Sequence, residues 1–183
     1  MDTQAKDTQA NELLDPKDAM EYFLDLSVVL TGFSRFHLQG TGQASLYFQT
    51  VEKVIGKKLF SELLEAFHEI HLKDKNTPQN QAINSEEESI LTKGLRLEIL
   101  GSEKFGPIAR NIIKLWYLAT WFKLPQYWRN DFGNKVNDET FVPSPEAYPE
   151  GLVWPAVGVS PRGAKPFGYA SWSEKPLVSL NQD

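Results

Sequence analysis

Apolar residues recur every three or four positions through most of the first 125 residues, which is the spacing of amphipathic helices. This pattern predicts five helices separated by short polar stretches. Four of them span residues 16–31, 41–55, 57–71 and 85–100, and the fifth opens at residues 106–107 and ends in an aromatic cluster of Trp116, Tyr117, Trp121 and Phe122.

Residues with known preferences for helix ends support these boundaries. Asp15 is a typical N-cap residue, Pro16 suits the first helical position, and Gly32 suits a C-cap. The stretch at 33–40 is expected to be a loop. Residues 73–84 are polar and contain Pro78, so they are expected to be a linker.

The last third of the chain has a different character. Seven of the 11 prolines lie after residue 140, and proline disfavours both regular helix and central strand. Large apolar side chains are nevertheless frequent there, and such side chains are expected to pack against a surface. The alternatives are that this segment folds back over its own helices, that it embraces another chain, or that it does both.

These patterns predict an all-α fold: a small helical bundle of about five helices followed by a long irregular Pro/Trp-rich C-terminal strap. The bundle is expected over residues 15–125 and the strap, extended and irregular, over 126–183. Residues 1–14 are polar and are expected to be disordered. They lack the basic start and apolar core of a secretory signal.

Composition narrows the classes of function. The formal net charge is −5, which disfavours a protein that binds nucleic-acid phosphates. The sequence has no cysteine, so disulfides and thiolate metal sites are excluded. No apolar run reaches the roughly 20 residues of a membrane span.

Residues that could support catalysis are few. Glu65 and His68 have the Glu-x-x-His spacing of di-iron helical bundles, but such sites need a second copy of the motif, which is missing. The sequence also lacks a Gly-x-Ser-x-Gly nucleophile motif and a phosphate-binding Gly-Lys-Ser/Thr loop. A helical metal protein that uses Glu65, His68 and His71 is retained as a less favoured alternative.

The aromatic end of the fifth helix and the strap are the features that could bind a partner. Core packing is the simpler interpretation of Trp116, but adjacent residues cannot all face one core, so Tyr117 and Trp121 need cover from the strap or from another protein. A stand-alone carbohydrate-binding or scaffolding module is a further alternative. The predicted partner-facing residues are Trp116, Tyr117, Trp121, Trp154, Pro155, Pro161, Arg162, Phe167, Tyr169 and Trp172.

Several short stretches, in order along the chain, resemble a known family. They are Phe23-Leu24-Asp25-Leu26-Ser27, Leu30-Thr31-Gly32-Phe33, Gly40-Thr41-Gly42 with Tyr47, Ile112-Ile113-Lys114-Leu115-Trp116-Tyr117-Leu118, Phe141-Val142-Pro143-Ser144, and Gly151-Leu152-Val153-Trp154-Pro155 through Ser171-Trp172. The chain is similar to the small, non-flavin subunit of bacterial FAD-dependent sugar and polyol dehydrogenase complexes, such as those for sorbitol, fructose and glucose.

The resemblance implies an accessory subunit that is not an enzyme on its own. It implies that a separate glucose-methanol-choline type oxidoreductase holds FAD, that this chain binds no cofactor, and that a cytochrome c subunit can join the complex. It implies a role in the stability and maturation of the flavoprotein, with no nucleic acid as partner. It also implies a periplasmic complex, although the twin-arginine signal of many relatives is missing, and a cytoplasmic location is the alternative.

Overall fold

The computed structural model describes residues 14–76, 89–133 and 136–161. Regular structure in this part of the chain is helical, apart from one isolated antiparallel bridge between Trp121 and Phe141. The α-helices are α1 (Pro16–Thr31), α2 (Arg35–Gly40), α3 (Ala44–Ile55), α4 (Lys57–Asn76), α5 (Ile90–Gly94), α6 (Gly106–Leu118), α7 (Gln126–Phe132) and α8 (Val153–Val157). A π-helical turn (Leu95–Leu100) follows α5, and a 3-10 helix (Pro145–Glu150) precedes α8. In the described ranges no helix combines the length and the apolar character needed to cross a membrane.

The boundaries of α1 are those that the sequence predicts. The Asp15 side chain accepts a hydrogen bond from the Lys17 backbone N–H at 2.9 Å. Gly32 ends the helix in the left-handed conformation, with φ of 75°, and its N–H donates to the Val28 carbonyl. A glycine is favoured at this position because it carries no Cβ to clash in that conformation.

The predicted loop at residues 33–40 is wrong, because most of it forms helix α2. Ser34 caps this helix by accepting from the His37 N–H. Arg35 then pairs with Glu21 at 2.6 Å and with Asp25 at 2.7 Å, both on α1. These ion pairs join residues distant in sequence, so a pattern of local spacing could not reveal the helix.

The next helices also differ in detail from the prediction. Helix α4 continues through the first part of the predicted linker to Asn76. Ser89 caps α5, and the predicted start of that helix at residue 85 lies outside the described residues. The second half of the predicted helix has π geometry instead of α geometry.

A single hydrophobic core joins α1, α3, α4, α6 and the segments that follow α6. Trp116 is fully buried within it. Its ring stacks on Phe23 at a centroid distance of 6.4 Å and meets the edge of Tyr47 at 4.9 Å. The large aromatic side chains of α1, α3 and α6 therefore fill the centre of the bundle.

The described part of the predicted strap, residues 126–133 and 136–161, is mostly short helices and turns. It contains α7, the 3-10 helix and α8, and the buried Trp128 donates from its indole nitrogen to the Lys104 carbonyl at 2.8 Å. Pro145 and Pro155 are compatible with these short helices because they lie in first turns, where a backbone N–H has no partner within the helix, whereas Pro149 lies inside the 3-10 helix and removes one N–H donor from it. Trp128, Ala147 and Leu152 of this part of the chain are buried in the core of the bundle.

Candidate functional site

A cleft of 410 Å³ lies between α2 and the segment that leads into and out of α8. The α2 wall combines aromatic and polar groups, and the opposite wall is rich in proline and apolar side chains. The lining residues are Phe36, His37, Gly40, Thr41, Pro149, Glu150, Gly151, Leu152, Trp154, Pro155, Val159, Ser160 and Pro161.

Backbone contacts hold the α8 wall against the bundle. The Leu152 N–H donates to the Trp116 carbonyl at 2.9 Å, at the end of α6. Gly151 passes so close to α6 that a Cβ there would lie 2.8 Å from the Tyr117 carbonyl oxygen. The Tyr117 hydroxyl in turn donates to the Thr31 carbonyl at the end of α1 at 2.8 Å. The wall is therefore fixed to α6, which is itself bonded to the end of α1.

Trp154 is held firmly within that wall. Its indole N–H donates to the Tyr148 carbonyl at 2.9 Å, and the two rings meet edge to face at a centroid distance of 5.3 Å. Gly158 ends α8 with φ of 72°, and the next residue, Val159, donates its N–H to the Trp154 carbonyl. This reversal returns the chain to the cleft, where Val159 and Pro161 complete the lining.

Exposed apolar side chains surround the cleft. Phe36 on α2 is 84% exposed, Val157 is 61% exposed and Val159 is 52% exposed. Tyr148, which packs against Trp154, is also exposed. Phe36 and Val159 belong to the lining itself, and exposed apolar side chains gathered at a cleft are typical of a binding surface.

One acidic residue lies in the lining of the cleft. Glu150 contributes a carboxylate to its lining, and no lysine or arginine is among the described residues that line it. Behind the wall, burial raises the pKa of the Tyr47 hydroxyl, and the negative charge of Glu150 raises that pKa further. The Tyr47 hydroxyl is buried and has no hydrogen-bond partner within the described residues.

Two of the predicted partner-facing residues lie in the core. The Trp116 indole N–H donates to Ser27 Oγ at 2.9 Å, and the Trp121 indole N–H donates to Asp138 Oδ1 at 3.0 Å. Both side chains are fully buried. A partner cannot contact them on the folded chain, and the cover that Trp121 needs comes from the chain itself, through Asp138 and the pairing with Phe141.

The other predicted partner-facing residues divide into two groups. Trp154, Pro155 and Pro161 line the cleft, and the half-buried Tyr117 lies behind its wall. Arg162, Phe167, Tyr169 and Trp172 fall outside the described residues.

Sequence reasoning missed the α2 side of the cleft and its carboxylate. Phe36 and His37 lie in a stretch expected to be a loop, and Glu150 stands among prolines without a motif around it. The signal available was Ser34, a helix-capping residue followed by apolar residues at 36 and 38.

The histidines of α4 pack against aromatic rings. His68 stacks on Tyr22 with a centroid distance of 3.9 Å, and His71 stacks on Phe67 at 5.8 Å. Over the described ranges, no group of three or more histidine, cysteine, aspartate or glutamate side chains is arranged to hold a metal ion.

Comparisons of the chain with protein-family models, with curated proteins and with solved structures find no match.

Proposed function

We propose that this chain is a non-catalytic accessory subunit that binds, stabilises and assists the maturation of an FAD-dependent sugar dehydrogenase of the glucose-methanol-choline type. In this proposal the partner holds FAD and oxidises the sugar, a cytochrome c subunit can accept the electrons, and the complex is periplasmic. The resemblance of ordered segments along the sequence supplies the identity of the partner.

One structural observation carries the binding role: the exposed apolar rim around the cleft. Phe36 and Val159 both line the cleft and present aromatic and aliphatic surface to solvent there. Interfaces of permanent complexes are apolar and resemble a domain core cut in two. Contact with a second subunit would remove this surface from water, which is favourable by the hydrophobic effect.

The rigidity of the α8 wall adds to this argument. Hydrogen bonds from Leu152 to α6 and from Trp154 to Tyr148 fix the wall before any partner arrives. A surface that is ordered in advance loses less conformational entropy on binding, which improves affinity.

A stabilising role follows from binding alone. A subunit that binds only the native form of the flavoprotein shifts that protein's folding equilibrium toward the native form. The effect is about 2.7 kcal/mol when the free subunit is present at 100 times its Kd, which is enough to change the yield of a marginally stable partner.

Co-expression tests the proposal. A candidate oxidoreductase of the glucose-methanol-choline type from the same organism would be produced with the wild-type chain, without it, and with Phe36→Glu. We expect the wild-type chain to raise the partner's soluble yield and flavin content, and Phe36→Glu to lose at least about tenfold in affinity, because it places a charge in an apolar interface. Tyr127→Glu is the matched control, since Tyr127 is an exposed aromatic on α7 outside the cleft lining.

Equal yield, flavin content and activity of the oxidoreductase with and without the chain would overturn the subunit role. If Phe36→Glu and Tyr127→Glu lose the same amount of affinity for the oxidoreductase, the interface lies elsewhere on the chain. If the isolated chain instead binds simple sugars in a calorimetric titration and does not bind the oxidoreductase, the carbohydrate-binding alternative replaces the proposal.

A further inference from the structure

We propose that Arg35 is a positioning residue for the partner: its ion pairs with α1 hold helix α2, and with it Phe36, in the place where the partner binds. This inference rests on the proposed function, because it names the residue that prepares the binding surface for the flavoprotein. Arg35 itself is not among the described residues that line the cleft. Its effect on binding is therefore expected to reach the partner through α2.

Helix α2 depends on contacts with the rest of the chain. It has six residues, and a helix of this length is unstable in water without tertiary contacts. Leu38 is fully buried in the core, and His37 meets the edge of the Phe33 ring at a centroid distance of 5.6 Å. Arg35 supplies ion pairs at the first helical position, directly before Phe36. The contact nearest to Phe36 is therefore the one that Arg35 makes with α1.

The Arg35 guanidinium spans two carboxylates on α1. Its Nη1 donates to Glu21 Oε2 at 2.6 Å, and its Nη2 donates to Asp25 Oδ1 at 2.7 Å and to the Glu21 carbonyl at 3.3 Å. Glu21 and Asp25 are four positions apart, so they lie on the same face of α1. Helix α1 is fixed by residues in the core such as Phe23 and Leu26. A rigid fork of donors that meets several acceptors on a fixed helix restrains α2 more than a single exposed ion pair does.

Phe36 depends on this restraint because its own side chain is largely exposed. A side chain with so little packing keeps its place only as long as the backbone beneath it does. The opposite wall of the cleft is held differently, by backbone hydrogen bonds such as that from Leu152 to α6. If α2 is in place in only a fraction of the chains, the apparent affinity for the partner falls in proportion to that fraction.

The test measures the Kd of the full chain for the flavoprotein, together with amide hydrogen exchange in the free chain. Arg35→Met removes the charge and keeps much of the aliphatic stem. We expect amides of residues 37–41 to exchange faster and the Kd to rise about 5- to 20-fold, which corresponds to α2 in place in roughly 5–20% of chains.

Lys123→Met is the matched control, and it should change the Kd by less than about twofold. The Lys123 side chain is 37% exposed against 33% for Arg35, and it also forms an ion pair, with Glu139 at 2.6 Å. It lies outside the cleft lining. Each of the two substitutions removes one positive charge, so a difference between them is not an effect of net charge.

Two further measurements distinguish positioning from a general loss of stability. In a Phe36→Ala background the ring that Arg35 positions is gone, so Arg35→Met should raise the Kd much less there. About 0.5 M NaCl screens exposed ion pairs, so the ratio of the Kd of Arg35→Met to that of the wild type should fall toward one. Thermal melting of each variant shows whether the bundle is intact.

The outcomes separate this inference from the proposed function. If the complex forms and Arg35→Met binds as tightly as Lys123→Met, the positioning role is excluded while the subunit role stands. If Arg35→Met weakens binding without faster exchange in α2, or weakens it equally in the Phe36→Ala background, Arg35 acts by another route and the inference is likewise excluded. If no complex forms with the wild-type chain, both proposals fail.

Discussion

At the scale of single residues, the four tryptophan side chains that the structure describes each have a hydrogen-bond acceptor within the chain, and they differ in burial. Trp116, Trp121 and Trp128 are each buried with the indole N–H donating to an acceptor that the chain itself supplies. Trp154 also has an internal acceptor, but its ring lines an open cleft. A buried indole without an acceptor would lose the hydrogen bond that it makes with water, so each acceptor specifies where its tryptophan can lie.

Replacement of Ser27 tests this dependence. Ser27→Ala leaves the Trp116 N–H buried without an acceptor, and we expect the free energy of unfolding to fall by about 1–3 kcal/mol. Urea unfolding measures the change. Ser45→Ala, at an exposed position on α3, is the control and should change stability by less than about 0.5 kcal/mol.

A double-mutant cycle identifies the cause. In a Trp116→Phe background no indole N–H remains to be satisfied, so Ser27→Ala should cost much less there. An equal cost in both backgrounds would show that Ser27 stabilises the chain through another contact.

At the scale of helices, α4 and α5 approach each other at a glycine. A Cβ on Gly94 would lie 2.5 Å from Ile70 Cγ2, so the two helices pack at a distance that only glycine permits. The chain changes from α to π geometry directly after this contact. The close approach explains why a glycine occupies a position where most residues would favour the helix more.

Gly94→Ala should therefore destabilise the chain although alanine is the better helix former. We expect a loss of about 1–3 kcal/mol from overpacking, measured by urea unfolding. In an Ile70→Ala background the obstructing Cγ2 is gone, and the same substitution should become neutral or stabilising because of helix propensity. Persistence of the loss in that background would exclude the steric explanation.

The sequence predicted long helices better than short ones, for a physical reason. Helix α1 and most of α6 have an apolar periodicity and end signals that are local in sequence, and both were predicted. Helices α2, α7 and α8 have between five and seven residues, and helices this short are unstable without tertiary contacts. Their stabilising contacts, such as those from Arg35 to α1, join residues that the pattern does not connect.

Prediction of the cleft was limited in the same way, because tertiary contacts that the sequence pattern does not reveal place its side chains. The aromatic and proline content of the last third predicted that Trp154, Pro155 and Pro161 face a partner, and this stays a prediction. In the structure these three residues line the cleft. Whether an aromatic residue is buried depends on its acceptor, and Asp138 lies 17 residues from Trp121. Spacing along the sequence therefore could not show that Trp121 is buried whereas Trp154 lines the cleft.

At the scale of the whole molecule, residues 141–161 are part of the folded unit. Phe141 exchanges two backbone hydrogen bonds with Trp121, and Leu152 donates to the end of α6. Ala147 and Leu152 are fully buried in the shared core. The compositional change near residue 125 does not mark the end of the core.

Two truncations test how far the folded unit extends. We expect a chain that ends at residue 140 to melt roughly 10 °C lower than a chain that ends at residue 161, because several kcal/mol of packing and hydrogen bonding are lost with residues 141–161. Circular dichroism at 222 nm follows the melting. Equal melting temperatures would show that these residues add nothing to the stability of the bundle.

The pairing of Trp121 with Phe141 brings two points of the chain together that are 20 positions apart. The segment between them starts and ends at paired positions. Trp128 within it is buried and bonded to the Lys104 carbonyl, so the part that tolerates a change in length is the exposed stretch near Val136. Extra residues there would cost little entropy, since the cost of closing a loop grows only slowly with its length. Next to the fully exposed Val136, an affinity tag or a fluorescent reporter could be inserted while both chain termini and the cleft stay untouched.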